Sequence, residues 1–309
     1  MPNPAKTESV ALIAGPTASG KTALALWLAA RHDATIINAD SAQVYAALPI
    51  LSAQPTPGEM AKVPHRLFGY LDGREACSAA RWAGDAKTAI AEAWDEGRLP
   101  ILVGGTGLYL RTLLDGIAPV PEIDADVRAA VRALPTGTAY AALMAEDPAS
   151  AANLNPNDDS RIKRALEVIR STGRSIAAWR KAKAGGIADD IRLHPIILLP
   201  PRDWLHERCN RRFEAMMAAG AVEEVRHLLQ QDLPADPPLL RAIGVPEIGA
   251  MLAGEIDEAE AIARGQAATR QYAKRQYTWF RNQTSPDWPR WNGELSDSEY
   301  ENIETILQF

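Results

Sequence analysis

Cysteine is almost missing from this sequence: Cys77 and Cys209 are the only two in 309 residues. Two isolated thiols build neither a disulfide framework nor a thiolate metal site, so a reducing, cytoplasmic setting is expected. Long apolar runs are missing too, and the polar start from Met1 to Ser9 lacks the apolar segment of a signal peptide. No association with a membrane is therefore expected. No internal repeat and no low-complexity tract interrupts the chain. Nor is there an excess of positive charge: the formal net charge is −6, which taken alone argues against a general nucleic-acid coat protein. What is present is ordinary. A hydrophobic fraction of 47% and a charged fraction of 23% describe a globular protein with core enough for one large domain or two.

The distribution of charge says more than its sum. Arg161, Lys163, Arg164, Arg170, Arg174, Arg180, Lys181 and Lys183 follow one another with only Glu167 against them in that stretch. Arg202, Arg208, Arg211 and Arg212 form a second group. A third, Arg264, Arg270, Lys274, Arg275 and Arg281, is interleaved with Tyr272, Tyr277, Trp279 and Phe280. An acidic protein with a basic face is the better description.

Gly15, Pro16, Thr17, Ala18, Ser19, Gly20, Lys21 and Thr22 satisfy the phosphate-loop pattern G-x-x-x-x-G-K-[ST]. A strand-like run, Val10–Ala14, precedes it and a helix-like run, Lys21–Arg31, follows. In that setting backbone N–H groups and the helix N-terminus face an anion, Lys21 reaches its terminal phosphates and Thr22 holds Mg²⁺. Further strands are expected at Thr35–Asn38, Arg66–Leu71 and Pro100–Val103, with a helix over Ser78–Glu96. This alternation predicts an α/β fold: a doubly wound parallel sheet containing a P-loop. After the proline-rich link Ala118–Glu122 the text turns helical and Ala-rich, until Ile196–Pro200 reads as one more buried strand. A strand that returns so late predicts a discontinuous core, 1–118 and 191–309, with a small helical domain, 119–190, inserted. Helices are expected at Trp204–Gly220, Val222–Gln231, Pro246–Leu252 and Ala259–Arg281, and little signal after Ser285.

A nucleotide kinase or ATPase usually carries an Asp after a later strand to hold Mg²⁺ through water. Here Pro100–Val103 runs instead into Gly104-Gly105-Thr106-Gly107-Leu108-Tyr109. The carboxylate stands after the second strand, at Asp40. Ligands of doubly wound sheets bind beyond the carboxyl ends of the strands, so Asp40, Thr106 and the phosphate loop are expected in one crevice. Asp40 could also cap a helix, a role that does not exclude the first, and Thr106 could as well be a satisfied strand-end hydroxyl.

The motifs G-P-T-A-S-G-K-T, D-S-A-Q-V-Y, V-P-H-R-L, L-V-G-G-T-G-L-Y, R-I-K-R-A-L-E-V, R-A-I-G-V-P-E and A-T-R-Q-Y-A-K-R-Q-Y-T-W-F-R occur in that order from residue 15 to residue 281. Together they resemble the tRNA dimethylallyltransferase family. That resemblance implies transfer of a dimethylallyl group from dimethylallyl diphosphate to N6 of the adenosine beside the tRNA anticodon, position 37, by a monomer. It implies catalytic roles for Asp40, Thr106 and Lys21, with Asp40 as the base for the exocyclic amine. It implies a diphosphate clamp at Arg208 or Arg212, four apart on one helical face, although either could be a solvated surface charge. Contacts to the anticodon stem-loop are implied at Asp40, Ser41, Ala42, Gln43, Thr106, Arg128, Ser160, Arg161, Ile162, Lys163, Arg164, Arg241, Ala242, Ile243, Gly244, Val245 and Pro246. Family members often read I-G-T-A-K-P where this chain reads Ile50-Leu51-Ser52-Ala53-Gln54-Pro55, so a lysine contact is missing. The zinc-finger tail of some eukaryotic relatives is not seen. A small-molecule or nucleotide kinase, a prenyltransferase of free adenine nucleotides and a noncatalytic RNA-binding switch are the other readings of the same loop.

Overall fold

The computed structural model describes residues 8–233 and 238–308; most of the polar start weighed above lies outside them. Contacts divide the chain into two compact units, one running to Leu113 and resuming at Ala188, the other Leu114–Ile187.

The first unit is built on six parallel strands: β1 (Ser9–Ala14), β2 (Ala34–Asn38), β3 (His65–Arg66), β4 (Leu99–Gly104), β5 (Arg192–Leu198) and β6 (Arg290–Trp291). Their order across the sheet is β3-β2-β4-β1-β5-β6. The central strands read as near-continuous apolar runs because helices cover the sheet. Ala11, Ile13, Ile36, Ile101 and Val103 pack with Leu24 and Leu28 of the helix Lys21–His32 and with Ile303 and Leu307 of the helix Tyr300–Leu307. The helix Ala79–Asp95 packs on β2 and β4. Its Trp82 indole donates to the Asn38 carbonyl at 2.9 Å, and its Trp94 indole to that of Ser9 at 3.0 Å. Ser78 caps that helix by accepting from the Arg81 N–H.

Two departures from the sequence reading have local causes. The run Arg66–Leu71 does not make a long strand: Leu67 and Gly69 take φ of 64° and 53°, in the left-handed region, and the chain turns away after Arg66. The C-terminal segment, which carried little signal, supplies the edge strand β6 and a helix that buries Tyr300, Ile303 and Leu307. A two-residue strand between Pro289 and Asn292 leaves no periodic pattern to read.

The second unit is helical, with Val131, Leu143, Ile162 and Leu166 in its own core. Its longest helix, Asp159–Thr172, begins at the Asp158 cap and stops at Gly173, whose φ is 65°.

Candidate functional site

Strand register sets the site. Ala14 at the end of β1 stands level with Gly104 of β4 and Ile197 of β5, and Asn38 of β2 with Val103. The loops after β1, β2 and β4 therefore leave one edge of the sheet together. The loop after β1 is Gly15–Thr22. Gly20 holds φ of 96° to enter the helix Lys21–His32, a conformation that a side chain would strain. No described side chain caps that helix and no acid stands in its first turn, so its N-terminal amides are left to an anion. Lys21 folds back over the loop, its Nζ donating to the Pro16 carbonyl at 2.7 Å. Burial pushes its amine from 10.5 down to about 8; Asp40 opposes that shift and Arg212 adds to it.

The loop after β2 carries Asp40. No helix follows for it to cap; instead its Oδ1 accepts from the Ala42 N–H at 3.0 Å, an Asx turn. Asn38 braces the segment, accepting from the Asp40 N–H at 2.8 Å and donating to the Leu67 carbonyl at 2.9 Å. Thr106, after β4, joins this loop: its hydroxyl accepts from the Ser41 N–H at 2.9 Å and donates to the Ser41 hydroxyl at 3.2 Å. Gln43 holds the next turn, donating to the carbonyls of Ser52 and Ala53 at 2.9 and 2.8 Å.

These loops open into a crevice of about 370 Å³ lined by Thr17, Lys21, Thr22, Asp40 to Gln43 and Arg212. Leu48, Leu51, Val103, Phe213, Met216 and Leu239 give it an apolar wall. A second hollow, about 570 Å³, shares Lys21, Thr22 and Arg212 with the first and adds Ala18, Gly20, Arg208 and Arg211. The shared trio is thus where the two hollows meet. Burial pushes the Arg212 guanidinium below its usual range, with Asp40 offsetting the shift. Arg208 is placed differently: its Nε donates to the Ala18 carbonyl at 2.9 Å and its guanidinium lies 4.5 Å from the Trp204 ring. Among the described residues no cluster of three or more His, Cys, Asp or Glu could hold a metal ion. A divalent ion here would depend on Thr22 and on the oxygens of a bound polyphosphate, the donor set by which magnesium is usually held at phosphate sites.

Arg241, Ala242 and Ile243 line the crevice; Gly244, Val245 and Pro246 do not, Gly244 preceding and the other two opening the helix Val245–Leu252. Arg128 and Ser160 to Arg164 belong to the helical unit. There Ile162 is fully buried in that unit's core, whereas Ser160, Arg161 and Arg164 are exposed. The basic run is also less bare than its sequence. Arg161 pairs with Asp158, Lys163 with Asp159 at 3.0 Å, Arg170 with Glu146 at 2.6 Å and Lys183 with Asp115 at 3.1 Å. Tyr272 and Arg275 line the crevice and had been read only as part of a basic, aromatic stretch. Burial and the nearby Asp40 raise the Tyr272 hydroxyl, while Thr106 and Arg275 lower it, so it stays a neutral donor. The apolar wall had no sequence signal, since its residues look like any core leucine or phenylalanine.

A family model described as IPP transferase matches residues 43–283. The tRNA dimethylallyltransferase of Sphingopyxis alaskensis is 59% identical over 304 residues, covering 96% of this chain and 99% of that protein. That of Erythrobacter litoralis is 60% identical over 286 residues, 91% of this chain and 90% of its own. Among solved structures, a full-length tRNA isopentenylpyrophosphate transferase from Bacillus halodurans superimposes with a TM-score of 0.70 at 33% identity, covering 97% of each chain. A eukaryotic dimethylallyltransferase acting on tRNA gives a TM-score of 0.81 at 26% identity, over 96% of this chain and 77% of that one.

Proposed function

This chain belongs to the IPP transferase family, and from that premise we propose how its crevice transfers a dimethylallyl group to tRNA. It is a prenyltransferase that acts on tRNA. The donor in this reading is dimethylallyl diphosphate, and the acceptor is N6 of the adenosine at position 37. The diphosphate lies where the two hollows meet, against the loop amides, Lys21 and Arg212. Arg208 supports the loop through the Ala18 carbonyl rather than gripping the donor directly. The apolar wall takes the dimethylallyl group and the flipped adenine, which cannot react while stacked in its loop.

In the transfer the C1–O bond of the donor breaks as the N6–C1 bond forms, and the diphosphate leaves with the bonding pair. Lys21, Arg212 and the loop amides neutralise the charge that develops on the leaving oxygens. Mg²⁺ beside Thr22, when bound, supplies further neutralisation of the same oxygens. Asp40 accepts the N6 proton, without which the exocyclic amine is a poor nucleophile. Thr106 and Tyr272 hold the Asp40 side of the crevice in place. Ser41 to Gln43, Arg241 to Ile243 and the exposed cations of the helical unit contact the anticodon stem-loop. A monomer in the cytoplasm, where tRNA is modified, completes the reading.

The observation that carries this is the meeting of Asp40 with Lys21, Thr22 and Arg212 in one apolar-walled crevice. The test is transfer from radiolabelled dimethylallyl diphosphate to unmodified tRNA with Mg²⁺, with AMP and ATP as competing acceptors. Label in tRNA, lost in Asp40→Ala, is the expected result. Label in AMP alone, or ATP consumed with no label transferred, would refute it.

A further inference from the structure

One buried side chain outside the crevice ties two of its loops together. Gln276 stands on the helix Glu258–Gln283, is 5% exposed and does not line the crevice. Its carboxamide is engaged at both ends. Oε1 accepts from the backbone N–H of Thr17 at 2.7 Å, and Nε2 donates to the Gly105 carbonyl at 2.9 Å. One partner belongs to the phosphate loop and the other to the turn that carries Thr106. The turn has been shaped around this side chain. A Cβ on Gly105 would lie 2.2 Å from Gln276 Nε2, so only glycine fits while the carboxamide is in place.

From Gly105 the connection runs on to the base. The Thr106 N–H donates to the Ala39 carbonyl at 3.2 Å, and the Thr106 hydroxyl accepts from the Ser41 N–H at 2.9 Å, on either side of Asp40. At its other end, the bond to Gln276 takes the Thr17 amide out of the anion cradle and fixes the first half of the loop.

We propose that Gln276 is a positioning residue for the transfer, setting the spacing between the loop that holds the leaving diphosphate and the segment that holds Asp40. The proposal rests on the reading of the crevice given above. A displacement needs the reacting carbon held in line between leaving oxygen and nucleophile, so both loops must stay in one register. A carboxamide suits this because it offers an acceptor and a donor on one rigid plane. An ionised carboxylate offers no donor, an ammonium no acceptor and a thioether only a weak acceptor.

The test compares wild type, Gln276→Ala and Gln276→Glu in single-turnover transfer to tRNA, with each enzyme normalised by active-site titration. Affinities for inorganic diphosphate and for tRNA are measured alongside. Gln276→Ala is expected to lower the single-turnover rate on the order of 100-fold, the scale of a small misplacement, with both affinities nearly unchanged. Gln276→Glu is expected to be slow at neutral pH and to recover as pH falls, because the protonated carboxyl again donates to the Gly105 carbonyl. Wild type is not expected to show that recovery. The pH profile keeps the test open if Gln276→Ala does not fold. Wild-type rates in both variants, or a flat pH profile for Gln276→Glu, would overturn the proposal. So would a loss of diphosphate affinity with no loss of rate at saturation. Failure of the wild type itself to transfer would instead strike the reading of the crevice.

Discussion

In the crevice, Lys21 and Arg212 share a partly enclosed space with Asp40, the one carboxylate among the described lining residues. In the helical unit, Arg161, Lys163 and Arg170 sit opposite Asp158, Asp159 and Glu146, while Arg132 and Arg164 flank Glu167. The residue types are the same and their energetic positions are opposite. Burial desolvates Lys21 and Arg212, so an arriving polyanion relieves a cost the fold already bears. Arg161, Lys163 and Arg170 already face neighbouring carboxylates, and there a phosphate can only replace one anion with another. Exposed pairs of that kind are worth about 0–1 kcal/mol each, so the exchange costs little and gains little per contact. In the proposed reading, grip on the donor is concentrated in two side chains and grip on a polymer is spread over many.

The contrast can be broken at its strong end first. Asp40→Asn keeps the shape of the crevice and removes the base, so transfer should fall by about 10²–10⁴ in single-turnover assays, with tRNA affinity retained. Next come the cations. Lys21→Ala and Arg212→Ala should each cost on the order of 10²–10³ in the rate constant, as expected for groups that neutralise a leaving group. Arg208→Ala should cost less than Arg212→Ala, because its Nε is committed to the Ala18 carbonyl. Equal losses in the two arginine variants would mean that both grip the donor.

A pH titration sharpens the same point. Below about 8 the Lys21 amine is charged and ready for the diphosphate; above it, binding requires the amine to take up a proton. The dissociation constant for inorganic diphosphate should therefore rise through pH 8 by up to about tenfold per unit, and Lys21→Arg should abolish the rise. The sign for stability follows. The folded value, about 8, lies below the ordinary 10.5, so between these pH values the unfolded chain binds more protons. The ligand-free protein should gain stability as pH rises across that window, and Lys21→Met should melt a few degrees higher at pH 7. At the weak end, Arg161→Ala or Arg164→Ala should weaken tRNA binding only a few-fold and lower its salt slope by about one, leaving diphosphate affinity and Tm alone. A loss of diphosphate affinity in either variant would erase the distinction between the two regions.

The phosphate loop was legible because strand, turn and helix lie within residues 9–32, and each obeys a local rule. The Ser78–Glu96 helix was legible for the same reason, with Ser78 at its cap. Arg66–Leu71 was not, because its apolar letters read as a strand while Leu67 and Gly69 hold positive φ. Asp40 was found from its place after a strand, yet its role as the start of an Asx turn rather than a helix cap emerged only once no helix followed. Tyr272 was visible as a letter in a basic, aromatic stretch, but the stretch does not say which of its aromatics faces the crevice.

By itself the sequence determined the phosphate-loop motif, the parallel sheet that carries it and the family, all from neighbours along the chain whose preferences agree. Only the tertiary structure decided that Arg212 rather than Arg208 stands where the hollows meet. It alone decided that Arg161, Lys163 and Arg170 arrive already paired, and that Gln276 joins residues 259 and 171 positions away. The reason is physical. A backbone preference acts over a few residues, whereas desolvation and the sharing of a carboxamide between two loops exist only once packing has brought distant segments within 3 Å of each other.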